Sequence, residues 1–283
     1  MTTIDKLVDL IRQTSSSLSD DVVAALKRAK AREQASSSAA VVLSTILDNI
    51  ALAKKISAPL CQDTGTLTFF VDSRLRRTVS PAQLAKAVAK ATKLGYLRRN
   101  TIDSVTGVSY DDNVATDAPK VYYVEGEGSE KNVTLLMKGG GSENMSRQYS
   151  LPDSSLSAGR DLEGVRKCIL DAVNKIQGYG CAPGILGVCI GGDRATGYAV
   201  AKEQLLRRLD EKNFGDKTLR RLESKTLKEA NSLGIGPMGL GGKTTLLGVK
   251  IASRPRVPAS FFVTIAYMCW ACRRRTLNFG GSK

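Results

Sequence analysis

The chain has 283 residues, 42% of them hydrophobic, which is long enough to bury a substantial core in one large domain or two smaller ones. Its formal charge is +15, but Lys and Arg are scattered and only 5% of residues are aromatic, which argues against a base-stacking nucleic-acid site. A basic surface suits an acidic partner subunit or a small dianionic substrate equally well. The absence of histidine excludes Ser-His-Asp and Cys-His catalysis and His-ligated zinc within this chain.

Membrane insertion and secretion are not expected from the sequence. No apolar run reaches the roughly 18 residues that a membrane span needs. The N-terminal segment 1–13 mixes charges into a helical pattern, unlike a secretory signal. We therefore expect a cytoplasmic protein without membrane attachment, in which thiols stay reduced and serve as metal ligands more readily than as disulfides.

Hydrophobic periodicity predicts a helical N-terminal part, about residues 1–58, followed by alternating strands and helices. Ser80 as N-cap with Pro81 at the first helical position marks the start of the next helix. Further helices are predicted at 161–178, 195–213 and 217–233. Strands are predicted at 66–72, 120–126, 132–138, 184–190, 245–252 and 260–268.

These elements predict an α/β (α+β) fold. A Gly/Ser/Glu turn joins strands 120–126 and 132–138, and strands 245–252 and 260–268 are expected to pair in the core. No internal repeat or low-complexity linker divides the chain, so we expect residues 1–283 to form a single large mixed domain. The basic run at 273–275 is expected to be a solvated face or a partner contact.

Three cysteines lie far apart in the chain, each in its own loop that is punctuated by glycine and proline. They are Cys61 in PLCQDTG, Cys181 in GYGCAPGILG and Cys269 in AYMCWACRR. Thiolates are soft ligands that select iron–sulfur clusters, zinc or copper(I). Three separated thiolates without an obvious fourth suggest a cluster with one open iron, which is a Lewis acid.

The other three cysteines are interpreted as structural. Cys272 makes a C-x-x-C pair with Cys269, but zinc would require a second such pair, and none is present. One member of the pair is therefore expected to be a ligand and the other to pack as a small hydrophobe. Cys168 lies on the apolar face of a predicted helix and Cys189 within an apolar strand, so both are expected in the core.

Several glycine-rich loops follow or precede predicted strands, namely GGGSEN, CAPG, CIGGD and GLGGK. Glycines permit positive φ and close backbone approach, so exposed amides can line a shared anion pocket. GIGPMG at 234–239 and the adjoining GLGGKTT are not nucleotide motifs, because they follow a helix and Pro237 removes a backbone donor.

Taken together, CQDTG, LRRN, KGGGSEN, CAPGILGVCIGGD, GIGPMGLGGKTT and PASFFVTIAYMCWACRR resemble blocks of one family. The chain resembles, from about residue 10 to residue 275, the α subunit of class I fumarases and equally the two-subunit L-tartrate dehydratases. The resemblance implies an oxygen-sensitive [4Fe–4S] hydro-lyase whose separate β chain carries part of the active site. It implies Cys61, Cys181 and Cys269 as the three cluster ligands, with one open iron, and an α₂β₂ assembly.

The resemblance also implies which residues handle the substrate. Gln62 and Asp63, beside the first ligand, would reach it, and Asp63 would orient a hydroxyl or support a ligand. Arg98 in LRRN would pair with a substrate carboxylate, for which a planar guanidinium is suited. The backbone around Gly140 and Gly141 would approach the other end of the substrate.

One position departs from the family pattern. Family members usually carry a histidine, thought to contact substrate, where this chain has Val257 in RVPAS. Valine cannot donate a hydrogen bond, and losing one to a charged group costs about 1.5–3 kcal/mol. We therefore expect weakened substrate handling, and a general base supplied by the β chain.

The function implied is reversible hydration of a small dicarboxylate, fumarate to malate first, with tartrate and mesaconate as other candidates. Two alternatives stay open. A non-catalytic iron–sulfur or electron-transfer subunit would be expected to show four cysteines with at least two closely spaced. A basic nucleic-acid or scaffold protein with merely buried cysteines would bind polyanions in a salt-sensitive manner and carry no iron.

Overall fold

The computed structural model describes residues 1–126, 128–211 and 216–279. Its helices are α1 (Thr3–Ser16), α2 (Asp20–Arg32), α3 (Ser38–Ile56), α4 (Pro81–Lys93), α5 (Gly140–Asn144), α6 (Leu162–Ile176), α7 (Arg194–Gln204) and α8 (Lys217–Ser232). Its strands are β1 (Thr66–Asp72), β2 (Lys120–Val124), β3 (Asn132–Lys138), β4 (Arg147–Ser150), β5 (Gly184–Gly191), β6 (Leu246–Arg254), β7 (Phe262–Met268) and β8 (Arg273–Asn278). The predicted mixed α/β class with a helical N-terminal part is confirmed.

The chain divides into two compact units. The first contains Met1–Ser19, Asp48–Gly140 and Ala271–Lys283, and the second contains Asp20–Leu47 and Gly141–Trp270. Among the described residues, none of the helices is both long enough and apolar enough to cross a membrane. The expectation that residues 1–283 form one domain stays a prediction.

The first unit is built on a four-stranded sheet in the order β2-β1-β3-β8. β1 is parallel to β2 and antiparallel to β3, which is antiparallel to β8. Leu67, Phe69 and Val71 of β1 pack with α1 and α4 in one buried apolar cluster. β2 and β3 are consecutive in the chain but do not form a hairpin, because the more deeply buried β1 lies between them.

The second unit has a sheet in the order β4-β7-β5-β6. The predicted pairing of the strands now seen as β6 and β7 is wrong, because both pair with β5, β6 in parallel and β7 antiparallel. Their connection runs past the end of β5, where the Gly192 N–H donates to the Pro255 carbonyl at 3.3 Å. Seven residues in that connection are enough to cross one strand.

Both faces of β5 are covered, which explains its continuous apolar sequence. Leu186, Val188 and Ile190 join the buried cluster that includes α6 and α8. On the other face Gly187 allows α7 to approach closely, since an ideal Cβ there would lie 2.0 Å from the Ala201 carbonyl oxygen.

The basic run at 273–275 is not a solvated face. Arg273 and Arg274 are only 2% and 6% exposed, because β8 pairs with β3 and lies beside α1. Arg274 donates to Cys272 Sγ at 3.3 Å, and Arg275 donates to Ser17 Oγ at 3.0 Å. Long arginine stems are buried here, and Arg275 reaches an acceptor directly after the end of α1.

Most remaining elements match the predicted ranges within a few residues. The helix predicted at 195–213 is shorter: α7 ends at Gln204 and turns follow it, while residues 212 and 213 lie outside the described part of the chain. Ser80 caps α4 as predicted, because its side chain accepts from the Gln83 N–H and the Gln83 side chain accepts from the Ser80 N–H. Pro81 occupies the first turn.

Replacing Ser80 by Ala removes one half of this capping box. We expect Ser80→Ala to lower the free energy of unfolding by about 1 kcal/mol, since an N-cap hydroxyl contributes about 0.5–2 kcal/mol. Urea denaturation followed by circular dichroism measures the change. Ser129→Ala is the matched control, because Ser129 is exposed and its hydroxyl has no hydrogen-bond partner among the described residues. Equal stability of the two variants would show that the cap contributes nothing.

Candidate functional site

The Cys61 loop of the first unit is folded on itself. Cys61 is partly exposed and Gln62 is exposed. Cys61 Sγ accepts from the Asp63 N–H at 3.5 Å and lies 3.7 Å from Gln62 Oε1. Gly65 ends the turn with φ +74°, and an ideal Cβ there would lie 2.4 Å from the Lys138 carbonyl oxygen. The thiol is therefore held at the surface of a tight turn that only glycine can close.

Asp63 holds three segments of the first unit together. Its Oδ2 accepts from the Gly140 N–H at 2.7 Å, and its Oδ1 accepts from Asn100 Nδ2 at 2.7 Å. Hydrogen bonds to an ionised carboxylate are the stronger class. The Asp63 carboxylate thus joins the Cys61 loop to both the LRRN segment and the GGGSEN segment.

The LRRN segment is fixed through its backbone. Thr64 Oγ1 donates to the Arg98 carbonyl at 2.8 Å and accepts from the Arg98 N–H at 2.9 Å. Asn113, completely buried, accepts from the Asn100 N–H at 2.9 Å and donates to the Arg98 carbonyl at 2.9 Å. The Arg98 side chain is exposed and has no partner among the described residues. Arg99, in contrast, pairs with Asp111 at 2.9 Å.

A cavity of about 230 Å³ opens beside Asp63 in the first unit. The cavity is lined by two of the predicted site residues, Asp63 and Gly140, together with Asn100 and Lys120. Gln62, Arg98 and Gly141 are not among its lining residues. Lys120 is paired with Asp117 at 3.0 Å, so the cavity wall carries both signs of charge.

Cys181 and Cys269 are neighbours in the second unit. The Trp270 N–H donates to the Cys181 carbonyl at 3.3 Å, and the Cys269 N–H donates to Ser142 Oγ at 3.1 Å. Cys181 is exposed with φ +53°, and Cys269 is partly exposed. Ser142 belongs to the GGGSEN segment, so this segment and both cysteine loops meet at one end of the second sheet.

Tyr267 lies under the Cys181 loop. An ideal Cβ on Gly180 would lie 2.3 Å from Tyr267 Cε1, and one on Gly184 would lie 2.3 Å from the Tyr267 hydroxyl oxygen. Tyr267 is 1% exposed, and its hydroxyl has no hydrogen-bond partner among the described residues. Burial, with smaller contributions from the thiols of Cys269 and Cys181, raises the pKa of Tyr267 well above its ordinary value. The hydroxyl therefore stays protonated.

The remaining three cysteines are buried. Burial raises the pKa of Cys168 to about 12 and that of Cys189 to about 11, so both are protonated thiols and poor ligands at neutral pH. Their predicted place in the core is confirmed. Cys272 is buried as well, and its sulfur accepts from Arg274.

No group of three or more His, Cys, Asp or Glu side chains among the described residues is placed to hold a metal ion. The complete three-thiolate set accordingly stays a prediction. The Cys181–Cys269 pair nevertheless has the chemistry of a soft-metal site: two accessible thiols and a buried, unpartnered donor beside them. These residues fit an iron–sulfur group.

Val257 lies far from that pair within the second unit. It is 64% exposed, in the connection between β6 and β7 that passes the end of β5. Cys181 precedes β5 and Cys269 follows β7, which is antiparallel to β5, so both cysteines lie at the other end of the sheet. The seven residues of β7 span about 20 Å at roughly 3.3 Å per residue.

Sequence reasoning missed several residues that build these loops, among them Thr64, Asn100, Asn113, Ser142 and Tyr267. Asn100 and Ser142 belong to the motifs LRRN and GGGSEN, so the sequence indicates that these segments take part in the site but does not predict the contacts of the two side chains. Asn113 has φ +61°, a conformation that asparagine tolerates better than most residues, but it lies in a long polar segment. No sequence signal distinguishes Tyr267 from an ordinary core tyrosine.

Comparison with known proteins assigns the chain to a family. The fumarate hydratase (Fumerase) family matches residues 4–278. A protein of Geobacillus stearothermophilus, named provisionally as a class I fumarate hydratase, is 48% identical over 275 residues, which are 95% of this chain and 53% of that protein. The chain thus spans about half the length of that relative.

Two further relatives match almost end to end. A protein of Methanocaldococcus jannaschii, named provisionally as the α subunit of L(+)-tartrate dehydratase, is 33% identical over 95% of each chain. The L(+)-tartrate dehydratase α subunit of Escherichia coli K12 is 30% identical over 97% of this chain and 91% of its own. The chain therefore belongs to the fumarate hydratase (Fumerase) family.

Proposed function

We propose that this chain is the α-type part of an iron–sulfur hydro-lyase that adds water reversibly to a small unsaturated dicarboxylate. Support comes from the names of its relatives, a fumarate hydratase and tartrate dehydratase α subunits. The observation that carries the proposal is the division of its six cysteines: Cys61, Cys181 and Cys269 are accessible, and the other three are buried. The accessible three are the cysteines that the resemblance implies as cluster ligands.

The proposed cofactor is a [4Fe–4S] cluster bound by Cys61, Cys181 and Cys269, with one iron left open. When bound, such a cluster supplies Lewis acidity that weakens the C–O bond of a hydroxy acid. The chain's own contribution begins with keeping the three thiols accessible and reduced, which suits a reducing compartment such as the cytoplasm. The high pKa of the thiols of Cys168 and Cys189 keeps them from competing as ligands.

The polar side chains divide the work on the substrate. Arg98 is proposed to bind one carboxylate, because its guanidinium is exposed and has no partner in the described part of the chain, while that of Arg99 is paired with Asp111. Asp63 and Gln62 are proposed to contact the substrate beside Cys61. Because each Asp63 oxygen already accepts a hydrogen bond, from the Asn100 side chain and from the Gly140 N–H, the carboxylate is held in one orientation.

The glycine segment is proposed to bind the far end of the substrate through its backbone. The Gly140 N–H is already engaged by Asp63, so its part is to fix the segment. Gly141 is the next amide and the better candidate for direct contact. Neutralising both carboxylates in a pre-organised site favours the more charged transition state.

A separate β chain is proposed to complete the active site and to supply the general base. The two relatives that match this chain almost end to end are named as α subunits, which implies a partner subunit. An α₂β₂ assembly is proposed on the same grounds. Fumarate is the first candidate substrate, followed by tartrate and mesaconate.

Electron paramagnetic resonance of the anaerobically purified complex with its β chain, after mild oxidation, tests this function. A [3Fe–4S]⁺ signal that disappears when iron and reductant are restored supports a three-thiolate cluster with a labile iron. Good iron content without that signal would instead indicate a four-ligand cluster of the electron-transfer kind. A complex without iron would overturn the proposed chemistry.

Replacing the accessible cysteines separates ligands from core residues. We expect Cys61→Ser, Cys181→Ser and Cys269→Ser each to abolish the reversible [3Fe–4S]⁺ signal, because each removes one of three thiolates. Cys168→Ala and Cys189→Ala are the controls and should retain it, at some cost in stability. Retention of the signal in any of the three serine variants would remove that residue from the ligand set.

Replacing Arg98 tests the substrate contact. Arg98→Ala should raise KM about tenfold to 150-fold, the equivalent of losing about 1.5–3 kcal/mol of charged hydrogen bonding, with the cluster signal unchanged. Arg99→Ala is the matched control and should change KM less than twofold, because its exposed ion pair contributes little. The opposite pattern would assign the carboxylate to Arg99.

A further inference from the structure

The hydroxyl of Tyr267 is a buried donor without an acceptor. The residue is 1% exposed, and none of the described residues accepts a hydrogen bond from its oxygen. Leaving a buried polar group unsatisfied costs about 1–3 kcal/mol. A group bound at the site could supply the acceptor that this hydroxyl lacks and so remove the unfavourable free energy.

The ring has no freedom to turn toward another acceptor. It is enclosed by Gly180 and Gly184, which flank Cys181, and both glycines approach it so closely that a Cβ on either would overlap it. Side chains in such tight packing keep one rotamer. The position of the hydroxyl is therefore set by the same loop that carries Cys181.

Both cysteine loops lie beside Tyr267. Tyr267 lies next to the last residue of β7, and Cys269 is the first residue after the strand. The Cys181 loop packs directly on the ring through Gly180 and Gly184. The unpartnered phenol O–H is therefore a buried donor that adjoins both cysteine loops.

Building on the proposed function, we propose that the Tyr267 hydroxyl donates a hydrogen bond to a sulfur atom of the iron–sulfur group held by Cys181 and Cys269. Hydrogen bonds to cluster sulfurs stabilise the more negative, reduced state and so raise the reduction potential. Tyr267 is on this account a positioning residue, which sets the potential of the group and takes no part in bond making.

Tyr267→Phe removes only the phenol oxygen. In the anaerobically prepared complex, we expect the oxidised-to-reduced ratio of the three-iron form at a fixed ambient potential to rise about tenfold, which corresponds to a potential lower by about 59 mV. Electron–nuclear double resonance of the same form should lose one exchangeable proton coupling. Tyr149→Phe is the matched control, since it removes a half-buried phenol that donates to Asp171 at 2.8 Å in the same unit, and it should change neither quantity.

A second measurement on the cluster-free complex guards against a purely structural role. Because the oxygen lacks an acceptor there, Tyr267→Phe should raise the unfolding midpoint by about 2–4 °C, whereas Tyr149→Phe should lower it. An unchanged potential and proton coupling in Tyr267→Phe, or a lowered midpoint without cluster, would overturn the role of Tyr267 and leave the hydro-lyase proposal standing. Absence of iron from the unmodified complex would overturn both.

Discussion

The first unit depends on one carboxylate, that of Asp63. Each of its oxygens receives a hydrogen bond from a different segment, one from the Gly140 amide and one from the Asn100 side chain, both at 2.7 Å. Three stretches that are far apart in the chain are thereby fixed around one charged group. Because these bonds form within the chain itself, the loops are ordered before anything binds, and little ordering entropy is left to be lost on binding.

In the second unit, an aromatic ring holds the cysteine loop in place. Tyr267 fills the space between Gly180 and Gly184, so the loop that carries Cys181 is shaped by packing, whereas the Cys61 loop is shaped by hydrogen bonds. In both cases a side chain next to a cysteine does the shaping. This arrangement explains why the cysteine loops need glycine at defined positions: the glycines make room for the group that holds the loop.

Local features of the fold were predictable, and long-range ones were not. The Ser80 cap and strand β1 depend on neighbouring residues, and both were identified from the sequence. The order of strands depends on which strand is buried most deeply. The sequence pattern makes β2 and β3 neighbours, and likewise β6 and β7, but in the sheets β1 lies between the first two and β5 between the second two. Arg273 is a further example. Its charge predicts an exposed side chain, but the residue is buried because β8 pairs with β3 and lies beside α1. For the candidate site, the motifs indicate which loops take part, but the contacts of Asn100 and Tyr267 depend on how distant segments pack together.

Position 257 shows how fold geometry changes the meaning of a substitution. Judged by sequence alone, valine in place of the family's histidine weakens the site that contains the cysteines. In the second unit, however, Val257 precedes β7 and the Cys181–Cys269 pair lies beyond the other end of that strand, whose seven residues span about 20 Å. Neither a hydrogen bond nor a screened charge acts directly over that distance. Within this unit, the change at 257 therefore lies at the end of the sheet opposite to the two accessible thiols and Tyr267.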